Sequence, residues 1–220
     1  MSDIFQEVEE DLRREKAEKI WKKYGNVIIA FAVLIVVAVA GWRGYEWYQL
    51  KQAEAAGEKF EQALSLVRDG KLEEAEAAFA AIAKDGPSGY KQMARFRQAA
   101  EIAKRDPLEG VKAYAALSAD ASMGPLLRDL ATVRAAMIEV DSKPYAEFKT
   151  ALEPLAAPSS AWRHSVRELL GLSAYKAKDM TAASKWFQDA VADPNVPTGL
   201  RQRAELMLQL IAADAPPTGS

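Results

Sequence analysis

Residues 169–194 read LLGLSAYKAKDMTAASKWFQDAVADP, and the spacing inside this stretch decides the fold. Ala183, Phe187 and Ala190 follow one another at steps of four and three, which is one face of a helix. Pro194 closes that helix from beyond its end. Twelve residues before Ala183 stands Gly171, in a run that predicts an earlier helix over 162–177, and Lys178-Asp179 supplies the turn between them. The stretch is a helical hairpin. Working outward, the same framework returns as Ala75-x3-Phe79-x2-Ile82 before Pro87, Gly110-x3-Tyr114-x2-Leu117, and Phe148-x3-Leu152-x2-Leu155 before Pro158. Equivalent positions lie 35, 38 and 35 residues apart. First helices are expected over 52–69, 89–104, 124–140 and 162–177, with Asp69-Gly70, Asp106-Pro107 and Lys143-Pro144 as the other turns within pairs.

A period near 34 residues built from paired helices resembles the tetratricopeptide repeat. That pattern wants a small residue twelve places before the second helix's first core position, and here those places hold Ala63, Gln98, Ala136 and Gly171. Repeats one and four match best. Repeat two carries Gln98 where a small residue belongs, and repeat three has an enlarged loop. A single hairpin cannot bury its own apolar face, so four must stack, and the stack needs a terminal cap. Residues 198–213 supply an amphipathic candidate, with Leu200, Ala204, Met207, Leu208 and Ile211 on one side. The Ala- and Pro-rich end, residues 214–220, is expected to be disordered. The expected class is all-α: one membrane helix, then a tetratricopeptide-like solenoid over residues 43–213.

The membrane helix is read from residues 24–42, nineteen residues without a charge between Lys23 and Arg43. At the helical rise they extend about 30 Å, the thickness of a bilayer's hydrocarbon. Trp21 and Tyr24 stand at one end; Trp42, Tyr45, Trp47 and Tyr48 stand at the other, where amphipathic rings prefer the water–lipid boundary. Six basic residues precede the span and few follow closely, which places the N-terminus in the cytoplasm and the rest across the membrane. Ala38-Val39-Ala40 also has the form of a signal-peptidase site. A leader carrying seven acids fits that poorly, and an uncleaved anchor is the expectation. Residues 1–23 form an amphipathic helix, with acid-before-base pairs Glu9–Arg13, Glu10–Arg14, Glu15–Lys19 and Glu18–Lys22 and an apolar stripe Ile4, Phe5, Val8, Leu12. It either rests on the membrane surface or docks a cytoplasmic partner.

Composition removes several functions. A net charge of −2 with no basic face argues against nucleic-acid binding. Cysteine is absent, so disulfides, thiol nucleophiles and cysteine zinc sites are excluded. His164 is the single histidine and no G-x-S-x-G, P-loop or dinucleotide loop occurs. Glu73-Glu74-x-Glu76 opens a helix, where acids favour the positive end of the dipole. No enzyme, cofactor, metal or small-molecule substrate is expected.

A stack of hairpins instead offers the concave face of its first helices to a polypeptide. Projected onto this chain, the groove positions are Phe60, Leu64 and Arg68; Gln92, Arg95, Ala99 and Ile102; Leu130, Val133 and Met137; and Glu168, Leu172 and Tyr175. Leu64, Val133 and Leu172 equally fit contacts with neighbouring helices, and Trp186 fits either the interior or a partner.

Span, collar and repeats together resemble the YfgM-like family, ancillary subunits of the SecYEG translocon. The residues that carry this are the acidic-basic N-terminal helix, Gly41-Trp42-Arg43 at the end of the span, and the divergent repeats to about residue 212. Met1 to Val8 and Trp21-Lys22-Lys23-Tyr24-Gly25 resemble the alphaproteobacterial branch. The resemblance implies an inner-membrane protein with a periplasmic domain. Its implied partners are translocon subunits, a membrane-bound periplasmic chaperone of the peptidyl-prolyl isomerase type, and exported polypeptides. Related periplasmic repeat proteins also act as scaffolds in cell division or envelope synthesis, which is the competing expectation.

Overall fold

The computed structural model describes residues 3–214, with side chains from Arg13 onward except Ala17. The described residues form helices and no strand: α1 (Asp3–Arg68), α2 (Leu72–Asp85), α3 (Ser88–Arg105), α4 (Pro107–Ala119), α5 (Pro125–Glu139), α6 (Tyr145–Leu152) with a 3-10 turn at Glu153–Ala156, α7 (Arg163–Lys176), α8 (Met180–Val191) and α9 (Thr198–Asp214). The chain divides into two compact units, Met1–Ala55 and Ala56–Ser220. Of the expected disordered segment 214–220, Asp214 ends α9 and the remainder lies outside the described residues, as do the side chains of the apolar stripe at Ile4, Phe5, Val8 and Leu12 and of the acids of the first two ion pairs.

In the first unit the α1 segment leaves its apolar side chains uncovered. Val27, Phe31, Val36 and Val37 are each about two-thirds exposed. Almost none of the apolar stretch is covered by the rest of the chain, and this helix is long and apolar enough to cross a membrane. Glu15 meets Lys19 at 3.3 Å and Glu18 meets Lys22 at 2.8 Å, the two expected pairs that fall among the described side chains. No proline or N-cap signal interrupts the chain from there to Arg68, and Ala, Glu, Gln and Lys dominate residues 51–63. The first helix of repeat one is therefore the last part of α1 and has no start of its own.

The second unit is the stack of hairpins. The end of α1 pairs with α2 through Ala63, Ala75 and Phe79, all fully buried, and Ala94 of α3 closes that cluster. Tyr114 and Leu117 of α4 meet Ala99 of α3 and Ala131 and Ala135 of α5. Phe148 and Leu152 of α6 meet Val133 and Ala136 of α5 and Val166, Leu169 and Leu170 of α7. Ala183, Phe187 and Ala190 of α8 meet Ala174 of α7 and Leu200, Ala204 and Ile211 of α9, which caps the array as expected. The framework residues named from spacing are thus the core.

Two registers differ from expectation. In repeat two Gln98 is half-buried beside a surface hollow shared with Glu76 and Arg105, and Ala99 takes the small position against Tyr114. The cause is the turn: a single residue, Asp106, joins α3 to α4, whereas three join the helices of repeats one and four. In repeat three Pro154 lacks the N–H that would continue α6, so the helix ends at Leu152 and Ala156, not Leu155, completes the buried face.

The turns of repeats one and four share one geometry. The Lys71 N–H donates to the Leu66 carbonyl and the Gly70 N–H to Val67; likewise the Asp179 N–H donates to Ala174 and the Lys178 N–H to Tyr175. Both close a helix with a left-handed residue, Gly70 at φ 74° and Lys178 at φ 65°. A side chain there costs about 1–2 kcal/mol, while the Lys178 ammonium recovers part of that over the Tyr175 ring. Lys178→Gly is accordingly expected to raise stability by about 0.5–1 kcal/mol and Gly70→Ala to lower it by about 1 kcal/mol in chemical denaturation.

Candidate protein-binding groove

The first helices line one face of the second unit, and on it a cavity of about 450 Å³ opens between the end of α1, α3 and α5. Phe60, Gln92 and Leu130, three of the projected groove residues, come together in its wall. The sequence reading missed the rest: Gly89, Met93, Phe96, Arg97 and Ala100 of α3, Leu127 and Arg134 of α5, and Tyr114 of α4. The signal was present. Residues 89, 93, 96 and 100 recur at helical spacing on α3, and 127, 130 and 134 do so on α5, one residue off the projected register in repeat two.

Phe60 stacks edge-on to Phe79 at 5.3 Å between centroids and lies 6.0 Å from Tyr90, which fixes its ring as the cavity's wall. Phe96 stands 6.2 Å from Tyr114. Tyr114 is almost fully buried and its hydroxyl makes no hydrogen bond among the described residues. Burial raises the pKa of this phenol, while the positive charges of Arg134 and Arg97 oppose that rise. Arg97, Arg134 and Tyr114 all line the one cavity.

The other projected residues fall elsewhere. Ala99 and Val133 are 2% exposed and belong to the core, so neither offers surface to a partner; Ala99 was displaced inward by the short α3–α4 turn, and Val133 faces Phe148 and Leu170. Leu64 and Leu172 are half-buried against neighbouring helices. Arg95 turns from the cavity to bind Asp120 at 2.6 Å. Ile102 is half-buried, and Arg68 and Met137 are exposed beyond the cavity's lining. In repeat four the α9 cap engages the projected positions: Arg203 holds the Glu168 carboxylate with two hydrogen bonds, and Tyr175 donates to Asp214 at 2.8 Å. Trp186 packs between the two C-terminal clusters and donates its indole N–H to the Tyr145 hydroxyl at 2.9 Å, the interior role.

Of the residues weighed for chemistry, Glu76 has an ion-pair partner, whereas the buried Nδ1 of His164 has no hydrogen-bond partner among the described residues. Glu76 pairs with Arg105 at 2.9 Å. Arg163 donates to Asp193 at 2.7 Å, and Arg167 donates to the Asp189 carbonyl at 2.9 Å and reaches Asp193 at 3.4 Å. Arg201 donates to the Val191 and Asp193 carbonyls, so three arginines tie the loop between α8 and α9 to the body. His164 lies 3.7 Å from Asp193; burial and then Arg163 lower its pKa, against the opposing pull of Asp193. The Arg163 hydrogen bond, followed by that from the Asn195 N–H, holds the Asp193 pKa down at about 2. A depressed carboxylate stabilises the fold above its unfolded pKa of about 3.9 and loses that contribution as pH falls through the folded value. The melting temperature should therefore fall steeply between about pH 4 and pH 2. Asp193→Asn, already less stable at neutral pH, should show a flatter acid limb.

The aromatic collar lies in the first unit: Trp21, Tyr24, Trp42, Tyr45, Trp47 and Tyr48 are all about half or more exposed. The Lys23 ammonium sits 5.2 Å over the Tyr24 ring, and Gln49 donates to the Tyr45 hydroxyl at 2.8 Å.

No curated protein and no solved structure was found to match the chain. Residues 18–212 match a family described as the tetratricopeptide repeat-like domain. The match takes in every hairpin and the α9 cap, and it begins ahead of the apolar segment. Repeats of this kind are protein-interaction scaffolds, and the paired helices, their period and their open first-helix face agree with that. By the extent of the match and by its architecture, the chain belongs to the tetratricopeptide repeat-like domain family.

Proposed function

We propose that this chain is an adaptor held in a bacterial inner membrane by residues 24–42, with residues 1–23 in the cytoplasm and the repeat domain, residues 43–213, in the periplasm. It binds proteins and has no catalytic activity of its own. Its place is beside the Sec translocon, where it engages translocon subunits, a periplasmic chaperone or exported polypeptides. The observation that carries the anchored-adaptor reading is the family match itself, which takes in the exposed apolar segment and the repeats together. The excess of Lys and Arg before Tyr24 supports the orientation. The translocon as partner rests on the resemblance of span, collar and divergent repeats to translocon ancillary subunits.

In-cell photo-crosslinking tests this reading. Probes at Met93 and Leu130 face the cavity, and one at Lys84 on α2 serves as a control. Crosslinks from the cavity to translocon subunits, to a periplasmic chaperone or to chains in export are the expected result. Crosslinks confined to wall-synthesis or division proteins would overturn it in favour of an envelope scaffold.

A further inference from the structure

The cavity has an unusual charge arrangement for a surface hollow. Its walls are mostly apolar and aromatic, and the charged groups in its lining, Arg97 and Arg134, are both cations. Arg97 and Arg134 form no ion pair or hydrogen bond among the described residues, although most of the arginines around them do. The hydroxyl of Tyr114, in the same lining, makes no hydrogen bond among the described residues either. The carboxylate of Glu101, on the adjoining part of α3, belongs to a side chain only 3% exposed. Both its oxygens are taken by Lys104 at 2.9 Å, so it is committed elsewhere. Two unpaired cations at the edge of an apolar cavity favour an anion whose neighbouring atoms are hydrophobic, because a charge-assisted hydrogen bond is strong and the apolar part of such a ligand is drawn into the cavity.

Resting on the reading that the repeat unit binds protein, we propose that this cavity takes an acidic, apolar peptide segment. One aliphatic or aromatic side chain fills the space between Phe60, Phe96 and Leu130, and a flanking Asp or Glu carboxylate accepts from Arg97, Arg134 and the Tyr114 hydroxyl. A volume of about 450 Å³ suits one or two large side chains. Met93 lends the wall a flexible surface that accepts several apolar shapes, so the site selects for charge pattern more than for one sequence. A basic segment meets two like charges there and is rejected.

The full-length chain in detergent micelles is titrated against three fluorescent peptides followed by polarisation: Ser-Glu-Leu-Phe-Glu-Leu-Ser, its counterpart with Gln for Glu, and its counterpart with Lys for Glu. The acidic peptide is expected to bind at least ten times more tightly than the Gln peptide, and the Lys peptide least. Arg97→Glu with Arg134→Glu should invert that order, Arg97→Lys with Arg134→Lys should preserve it, and Lys84→Glu should leave it unchanged. Both arginines are exposed, and unchanged melting curves verify that the variants fold. Equal binding of the acidic and Gln peptides would overturn the proposal. So would absence of peptide binding in a chain that still crosslinks to protein from Leu130, and in that case the adaptor reading stands. Failure of both removes both.

Discussion

Phe187→Ala is expected to destabilise the repeat unit by about 3–5 kcal/mol, lowering its melting temperature by roughly 10 °C. The ring is completely buried at the meeting of α7, α8 and α9, and nothing nearby can move to refill its volume without dislodging the cap. The backbone at Gly171 passes close to it: a Cβ added there would come within 2.7–2.9 Å of the ring. Gly171→Ala alone should therefore cost about 1–3 kcal/mol through overpacking. The two effects share one cause, so they should not add. In the Phe187→Ala background the extra methyl enters the vacated space, and Gly171→Ala should then be close to neutral or restore some stability. Strict additivity in that double-mutant cycle would show that the glycine serves something other than the approach of this ring.

Val33→Lys combined with Val36→Lys is expected to release the chain from membranes. Each lysine at the centre of a spanning helix costs about 2.5–3.5 kcal/mol of insertion free energy, so the pair removes most of what an eighteen- to twenty-residue apolar segment supplies. Both valines are more than half exposed, and no contact of the fold depends on them. After carbonate washing, the parent chain should stay in the membrane pellet with an intact N-terminus, and the variant should move to the supernatant. A parent chain recovered as soluble protein beginning at Gly41 would sink the anchor and favour a cleaved leader.

Much of this was legible in residue spacing. Steps of four and three at Ala75, Phe79 and Ile82, and again at Ala183, Phe187 and Ala190, name side chains that are nearly or fully buried, because a helix has one period and a core excludes water from one face. The turn residues at Asp69-Gly70 and Lys178-Asp179 mark where helices end, since the backbone must turn left-handed there. The candidate site was legible only in part. Phe60, Gln92 and Leu130 line the cavity, but Ala99 and Val133 turned inward and Arg95 turned to Asp120. A groove position is defined by the angle of its helix relative to the next, and the one-residue turn at Asp106 shifts every repeat-two position counted back from α4, by about 100° per residue of slip.

The sequence by itself determined the helical class, the number of hairpins, most of the core and the exposed apolar segment. These follow from local periodicity and from length measured against a bilayer, and neither depends on distant residues. Tertiary structure alone decided which side chains remain without partners. That Arg97, Arg134 and Tyr114 converge unpaired while Arg163 and Arg167 are spent on a loop, and that α9 takes up Glu168 and Tyr175, depends on contacts between residues about 15–40 apart in the chain. Hydrogen bonds and ion pairs act over a few ångströms, and only the packed helices bring such residues within that reach.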